Sequence, residues 1–179
     1  MSNYLYREER SYDGNLMEKG KVGERIVMDW LEKRLSCNEI IDMREFRISQ
    51  RLDVDCGIET INGDIVLAEI KTDYNLGRTK NVLFEIFRIN HFARSDNIFY
   101  LGWAFRSPAK YLLYYSPREH AIYEFLFEDV RKIIGSYVAQ HRPNIQVTAT
   151  DQKKTTFNML IPFSFIKGAY KKHNLDPEP

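Results

Sequence analysis

From Asn15 to Leu35, apolar residues at Ile26, Val27, Trp30 and Leu31 fall on one stripe at helical spacing, which predicts an amphipathic helix. Gly20 and Gly23 weaken its first turns, unless the backbone there must approach something closely. The segment "EIIDMREFRISQ" reads as irregular chain or an edge strand. "LDVDCGIET" alternates, with Val54, Cys56 and Ile58 on one face and Asp53, Asp55 and Gly57 on the other. "NGD" at Asn62–Asp64 is a hairpin-turn signal. After it, "DIVLAEIKT" reads as a mostly buried central strand. "NVLFEIFRI", "NIFYLGWAF" and "KYLLYYS" supply a third, fourth and fifth strand. In "EFLFEDVRKIIGSYVAQ" the residues Phe127, Val130, Ile133, Ile134 and Tyr137 have helical spacing. A late hairpin, "IQVTATDQKKTTFNMLIPF", and a short helix near "FSFIKGAYKK" complete the chain. These elements predict a mixed α/β fold with a central mixed sheet flanked by helices. One domain is expected over residues 15–173, between an N-terminal extension (1–14) and a frayed tail (174–179).

Composition narrows this picture only a little. At 179 residues the chain is long enough to bury a real core. Its 44% hydrophobic and 28% charged content is that of a globular protein, not a disordered one. No apolar run approaches the ~20 residues of a membrane span, and the polar opening "MSNYLYREERSYDG" lacks a signal-peptide core. A soluble, cytoplasmic protein is expected. Net charge is +1, so overall charge neither supports nor excludes a nucleic-acid partner; a local basic groove is enough. Cys37 and Cys56 make no disulfide framework and their spacing suits no zinc site. His91, His120, His141 and His173 show no ligand-pair spacing.

What does change the picture is the charge carried by the predicted hairpin. Acidic residues and lysine are depleted in strands, yet Asp55, Glu69 and Lys71 all fall on them. Glu69 and Lys71 are two apart, hence on one face and about 7 Å apart along it. Asp55 precedes Glu69 by fourteen residues, and a turn at Asn62–Gly63 sets it nearly opposite Glu69 or Lys71. Two adjacent carboxylates repel unless something positive lies between them. A hard divalent cation such as Mg²⁺ or Mn²⁺ answers that need through one or two carboxylates, keeping other positions for water and phosphate. The carbonyl of Ile70 is available as a further ligand. Phosphodiester hydrolysis calls for such a set: a metal to activate water, and a lysine to orient it and offset developing charge.

An Asp, then Glu-x-Lys on the next strand of a hairpin, resembles the PD-(D/E)xK phosphodiesterase superfamily of restriction-endonuclease-like nucleases. The resemblance extends to a glutamate on the first helix, Glu24 in "GKVGERIVMDWLEKR". "QRLDVD" (Gln50 to Asp55), "EIKTD" followed by Asn81 and Glu85, and "GWAFRSPAKYLLYY" resemble a phage-type subgroup. The pattern runs in order from about Gly20 to Phe163. It departs at Val54, where the superfamily often has proline, and at Lys80 and Lys110, where the subgroup has Gly and Asp. The resemblance implies a metal-dependent DNA endonuclease, with many relatives acting as homodimers. Asp55, Glu69 and Ile70 would hold Mg²⁺ or Mn²⁺, Lys71 would position water, and Glu24 would bind metal or a water beyond it. Gln50, Asp53, Asn81 and Glu85 would support that site. Independently of the resemblance, Arg78, Lys80, Lys153 and Lys154 fall in expected loops and are candidates for phosphate contact.

Each residue also has a plainer reading. Glu-x-Lys alone is a common tripeptide pattern. Glu24 taken alone reads as a solvated helix charge, and Glu85 as the partner of an arginine such as Arg88. A cluster of lysines is usually a solvated face. The alternative function is a catalytically silent nucleic-acid-binding or protein-interaction domain on the same fold.

Overall fold

The structure, a computed structural model, describes residues 15–34, 37–91, 97–151 and 154–175. Among the described residues, ten strands form two sheets, accompanied by five α-helices. The first helix, α1 (Asn15–Arg34), leads into β1 (Glu39–Asp42) and a short helix α2 (Arg47–Leu52). The hairpin β2 (Cys56–Glu59) and β3 (Ile65–Thr72) follows, then a turn of helix α3 (Leu76–Thr79). Next come β4 (Asn81–His91), β5 (Asn97–Leu101), α4 (Trp103–Arg106), β6 (Tyr111–Ser116) and β7 (Ala121–Leu126). The chain ends with α5 (Phe127–Gln140), the hairpin β8 (Asn144–Asp151) and β9 (Lys154–Pro162), and β10 (Tyr170–Asn174).

Six strands make a mixed sheet in the order β1-β2-β3-β6-β7-β10, parallel only where β3 meets β6. The other four make an antiparallel sheet, β5-β4-β9-β8. The mixed α/β class expected from the sequence is therefore observed. The second sheet is an addition: β4 and β5, expected in one sheet with β3, pair away from it.

Alternation along β3 sorts its side chains to two cores. Ala68 and Ile70 pack with Cys56, Leu113 and Tyr115 beneath Val27, Met28 and Leu31 of α1. On the opposite face Leu67 joins Leu112, Tyr114, Tyr123 and Phe125, which face Val82, Phe84, Met159 and Ile161 of the second sheet. Glu69 lies level with Leu112 and Lys71 with Tyr114, so both acquire this inter-sheet side. Trp103, Phe127, Val130 and Ile134 from α4 and α5 close the same layer.

Several local expectations change. The strand around Asp55 begins only at Cys56, because residues 47–52 form α2 and Asp53 caps it in the left-handed conformation (φ 54°). "NIFYLGWAF" divides into β5 and α4, and Gly102 is what allows the joint. A Cβ there would lie 2.2 Å from the Glu85 carbonyl oxygen. "EFL" belongs to β7, and α5 starts at Phe127. No helix forms near "FSFIKGAYKK": turns lead into β10, which pairs antiparallel with β7. Asn174, assigned from sequence to the tail, is still part of that strand. Among the described residues, no helix is long and apolar enough to cross a membrane.

Candidate metal centre

The hairpin register places Cys56 opposite Ala68, so Asp55, one step before β2 begins, comes level with Glu69. Two hydrogen bonds fix it there. The Asp55 N–H donates to the Ala68 carbonyl (3.0 Å), and the Ile70 N–H donates to the Asp55 carboxylate (2.7 Å). The N–H and C=O of one strand residue point to the same side. The Ile70 carbonyl therefore opens toward Asp55, where β2 no longer runs alongside.

Glu69 is 1% exposed. One carboxylate oxygen accepts a short hydrogen bond from the Lys71 ammonium; the other, Oε2, has no partner among the described residues. Burial is the main force on its pKa, pushing it up to about 8. The charges of Asp55 and Asp53 add to the rise, and Lys71 only partly opposes it. Lys71 is a third exposed, with its ammonium 5.5 Å from the centre of the Trp103 ring. Burial disfavours that ammonium, but the charges of Glu69, Asp55 and Asp53 outweigh it and hold the pKa above the ordinary lysine value.

Glu24 reaches the same region from the other side of the sheet. Gly23 makes this possible: a Cβ there would lie 2.1 Å from the Thr72 side-chain oxygen, so only glycine lets α1 sit this low on β3. At Gly20, by contrast, a Cβ would meet nothing within 4 Å. The Glu24 pKa is raised, first by burial and then by the charge of Asp55; Arg44, at 3.4 Å, and Lys71 pull the other way. Arg44 also pairs with Asp42 at 2.6 Å. Its part was not foreseen, since nothing local in "MREF" marks an arginine that will meet α1.

The remaining expected residues divide. Gln50 is exposed and donates to the Arg44 carbonyl (2.8 Å), bracing the loop that carries this arginine. Asp53 turns from Asp55 toward Arg106, whose Nε donates at 2.7 Å, with Arg88 at 3.7 Å. Glu85 is buried and accepts from Arg88 at 3.0 Å. Asn81 opens β4, four residues or about 13 Å along the strand from Glu85. Arg78 donates to Asn75 (3.0 Å), and Lys80 pairs with Glu119 (2.6 Å). Lys154 is half-buried near Arg88 and Arg106, and Lys153 lies outside the described residues.

Among the described residues, no three His, Cys, Asp or Glu side chains gather as a ready metal cage. The donor set is narrower: the Asp55 carboxylate, the orphaned Glu69 oxygen and the Ile70 carbonyl, with Glu24 behind. Oxygen donors of this kind suit Mg²⁺ or Mn²⁺, which retain several waters and need few protein ligands. The unpartnered, buried Oε2 is the feature that fits a cation best. Comparison with protein-family models, curated proteins and solved structures finds no match for the chain.

Proposed function

We propose that the chain is a Mg²⁺- or Mn²⁺-dependent endonuclease of the PD-(D/E)xK type, with a restriction-endonuclease-like core, hydrolysing phosphodiester bonds in DNA. The single observation that carries this reading is the Glu69 carboxylate. It is buried beneath Asp55 and Lys71 with one oxygen unsatisfied, a costly arrangement unless a positive partner completes it.

Asp55 and Glu69 would hold the ion, with the Ile70 carbonyl beside them. Hydrogen bonding from the Ile70 amide keeps the Asp55 carboxylate aimed across the hairpin. When bound, the ion supplies Lewis-acid stabilisation and a water acidified toward neutral pH. Lys71 stays an ammonium and leans on Trp103; there it would orient an attacking water and offset charge building on the phosphoryl oxygens. Glu24, braced by Arg44, would orient a further water.

The test is metal titration followed by thermal shift, alongside a panel of labelled duplex, single-stranded and branched DNA. Mg²⁺ or Mn²⁺ should raise the melting temperature of the wild type but not of Asp55→Ala or Glu69→Ala. Lys71→Ala should keep the metal response and lose cleavage by about 10²-fold or more. An uncut panel with no metal response would move the protein to the silent-domain reading.

A further inference from the structure

Near the candidate centre lies a second group of charges that metal binding and water activation do not use. Asp53 accepts from Arg106 through both Nε and Nη2, and its other oxygen lies 3.7 Å from Arg88. Arg88 in turn gives Nε (3.0 Å) and Nη2 (2.9 Å) to Glu85. These carboxylates fix both guanidinium planes, and among the described residues the Nη1 of each keeps its donors free. Lys154 joins from β9, where it stands opposite Asn90, two residues beyond Arg88 on β4. It is half-buried, and no carboxylate pairs with it among the described residues. Burial, and then the nearby charge of Arg88, lower its pKa.

The cluster thus sets three cations, Arg88, Arg106 and Lys154, against two carboxylates. One positive charge is left over in a half-buried position, where screening by water is weak and an anion is strongly favoured. The cluster is also joined to the candidate centre. The Asp53 charge acts on both Glu69 and Lys71. On α4, the Trp103 ring under Lys71 and the Arg106 side chain are one turn apart.

We propose that Lys154, with the free nitrogens of Arg88 and Arg106, binds an internal phosphodiester of the nucleic-acid strand, flanking the bond held at Glu69 and Lys71. This rests on the nuclease reading. Charge decides the kind of phosphate: a phosphodiester carries one negative charge and matches the single surplus cation. A terminal monophosphate carries about 1.5–2 negative charges at neutral pH and would leave the cluster overcharged.

The experiment reads binding rather than cleavage. The intact chain is titrated in EDTA with a short fluorescent duplex bearing a 5′-hydroxyl or a 5′-phosphate, over a series of salt concentrations. Lys154→Gln should weaken binding to both duplexes equally and reduce the log–log salt slope by about 0.9, the value for one phosphate contact. Lys154→Arg should restore the slope. The melting temperature of Lys154→Gln should not fall, since the change removes a half-buried unpaired charge. An unchanged slope, a loss confined to the 5′-phosphorylated duplex, failure of rescue by arginine, or no binding by the wild type would each overturn the subsite. DNA cleavage with an unchanged slope would overturn the subsite alone. A reduced slope in a chain that cuts nothing would leave the subsite standing and remove the nuclease reading.

Discussion

The backbone amide of Ile70 donates to the carboxylate of Asp55 across 2.7 Å, so the side chain proposed to hold metal also completes the hydrogen bonding of the central hairpin. Asp55 therefore has a structural duty and a chemical one, and substitutions can separate them. Asp55→Ala leaves a buried N–H without an acceptor and should cost about 1–3 kcal/mol in urea unfolding. Asp55→Asn retains an amide oxygen in the same place and should cost less than about 1 kcal/mol. Both should lose the metal response. Equal destabilisation by the two changes would mean that the hydrogen bond contributes nothing.

The two glycines of α1 should respond to alanine in opposite directions. Gly20→Ala meets open space and should stabilise by about 0.5–1 kcal/mol through helix propensity. Gly23→Ala collides with Thr72 and should destabilise, lifting α1 from β3 and Glu24 from Asp55. Adding Thr72→Ala removes two of the three clashing atoms and should recover part of the loss. Strict additivity of the two changes in a double-mutant cycle would contradict the contact.

Acid sensitivity should concentrate at Glu119. Hydrogen bonds from Lys80 and then Tyr123 hold its pKa down to about 2, against 4.5 for an unperturbed glutamate. A depressed carboxylate pKa gives stability that is fully present above the unfolded value and is lost as pH falls through the folded one. Wild-type stability should therefore drop between about pH 4.5 and pH 2. Glu119→Gln should be less stable at pH 7 and flatter across that window, as followed by denaturant melts at each pH.

Tyr114 ties the two sheets together through a buried hydroxyl that donates to Asp73 (2.9 Å) and accepts from the Leu83 N–H (3.3 Å). Tyr114→Phe keeps the ring but strips both partners, with an expected cost of about 1–3 kcal/mol. Hydrogen exchange at Leu83 should accelerate. Unchanged exchange there would show that the amide is protected by other means.

The parts of the fold written in local pattern could be read from the chain: the stripe of α1, the turn between β2 and β3, the buried run of β3 and the β8–β9 hairpin. "AIYEFLFEDV" hid the border between β7 and α5, because its apolar residues satisfy both a strand and the first turn of a helix. "YKKHN" lacks the alternation of a half-buried strand and becomes β10 only because β7 offers it an edge. Nor does spacing reveal that β4 leaves the sheet of β3, a choice made by non-local packing against β9. The placement of Asp55 level with Glu69 followed from the turn. The partners of Asp53 did not, since Arg106 lies fifty-three residues away and approaches only through α4. Glu85 and Arg88, three apart on one strand, were visible as a pair and are one.

The parallel pairing of β3 with β6 bears on how the candidate centre comes into being. The β2–β3 hairpin closes over a five-residue connection between Glu59 and Ile65, whereas Ala68 must find Tyr111, forty-three positions later. Local closure is fast and distant closure slow. During synthesis the acidic hairpin emerges long before Trp103 and Arg106 exist to wall it in. A nascent chain thus carries the proposed ligands without the enclosure, and the candidate centre stays open until synthesis has passed β6.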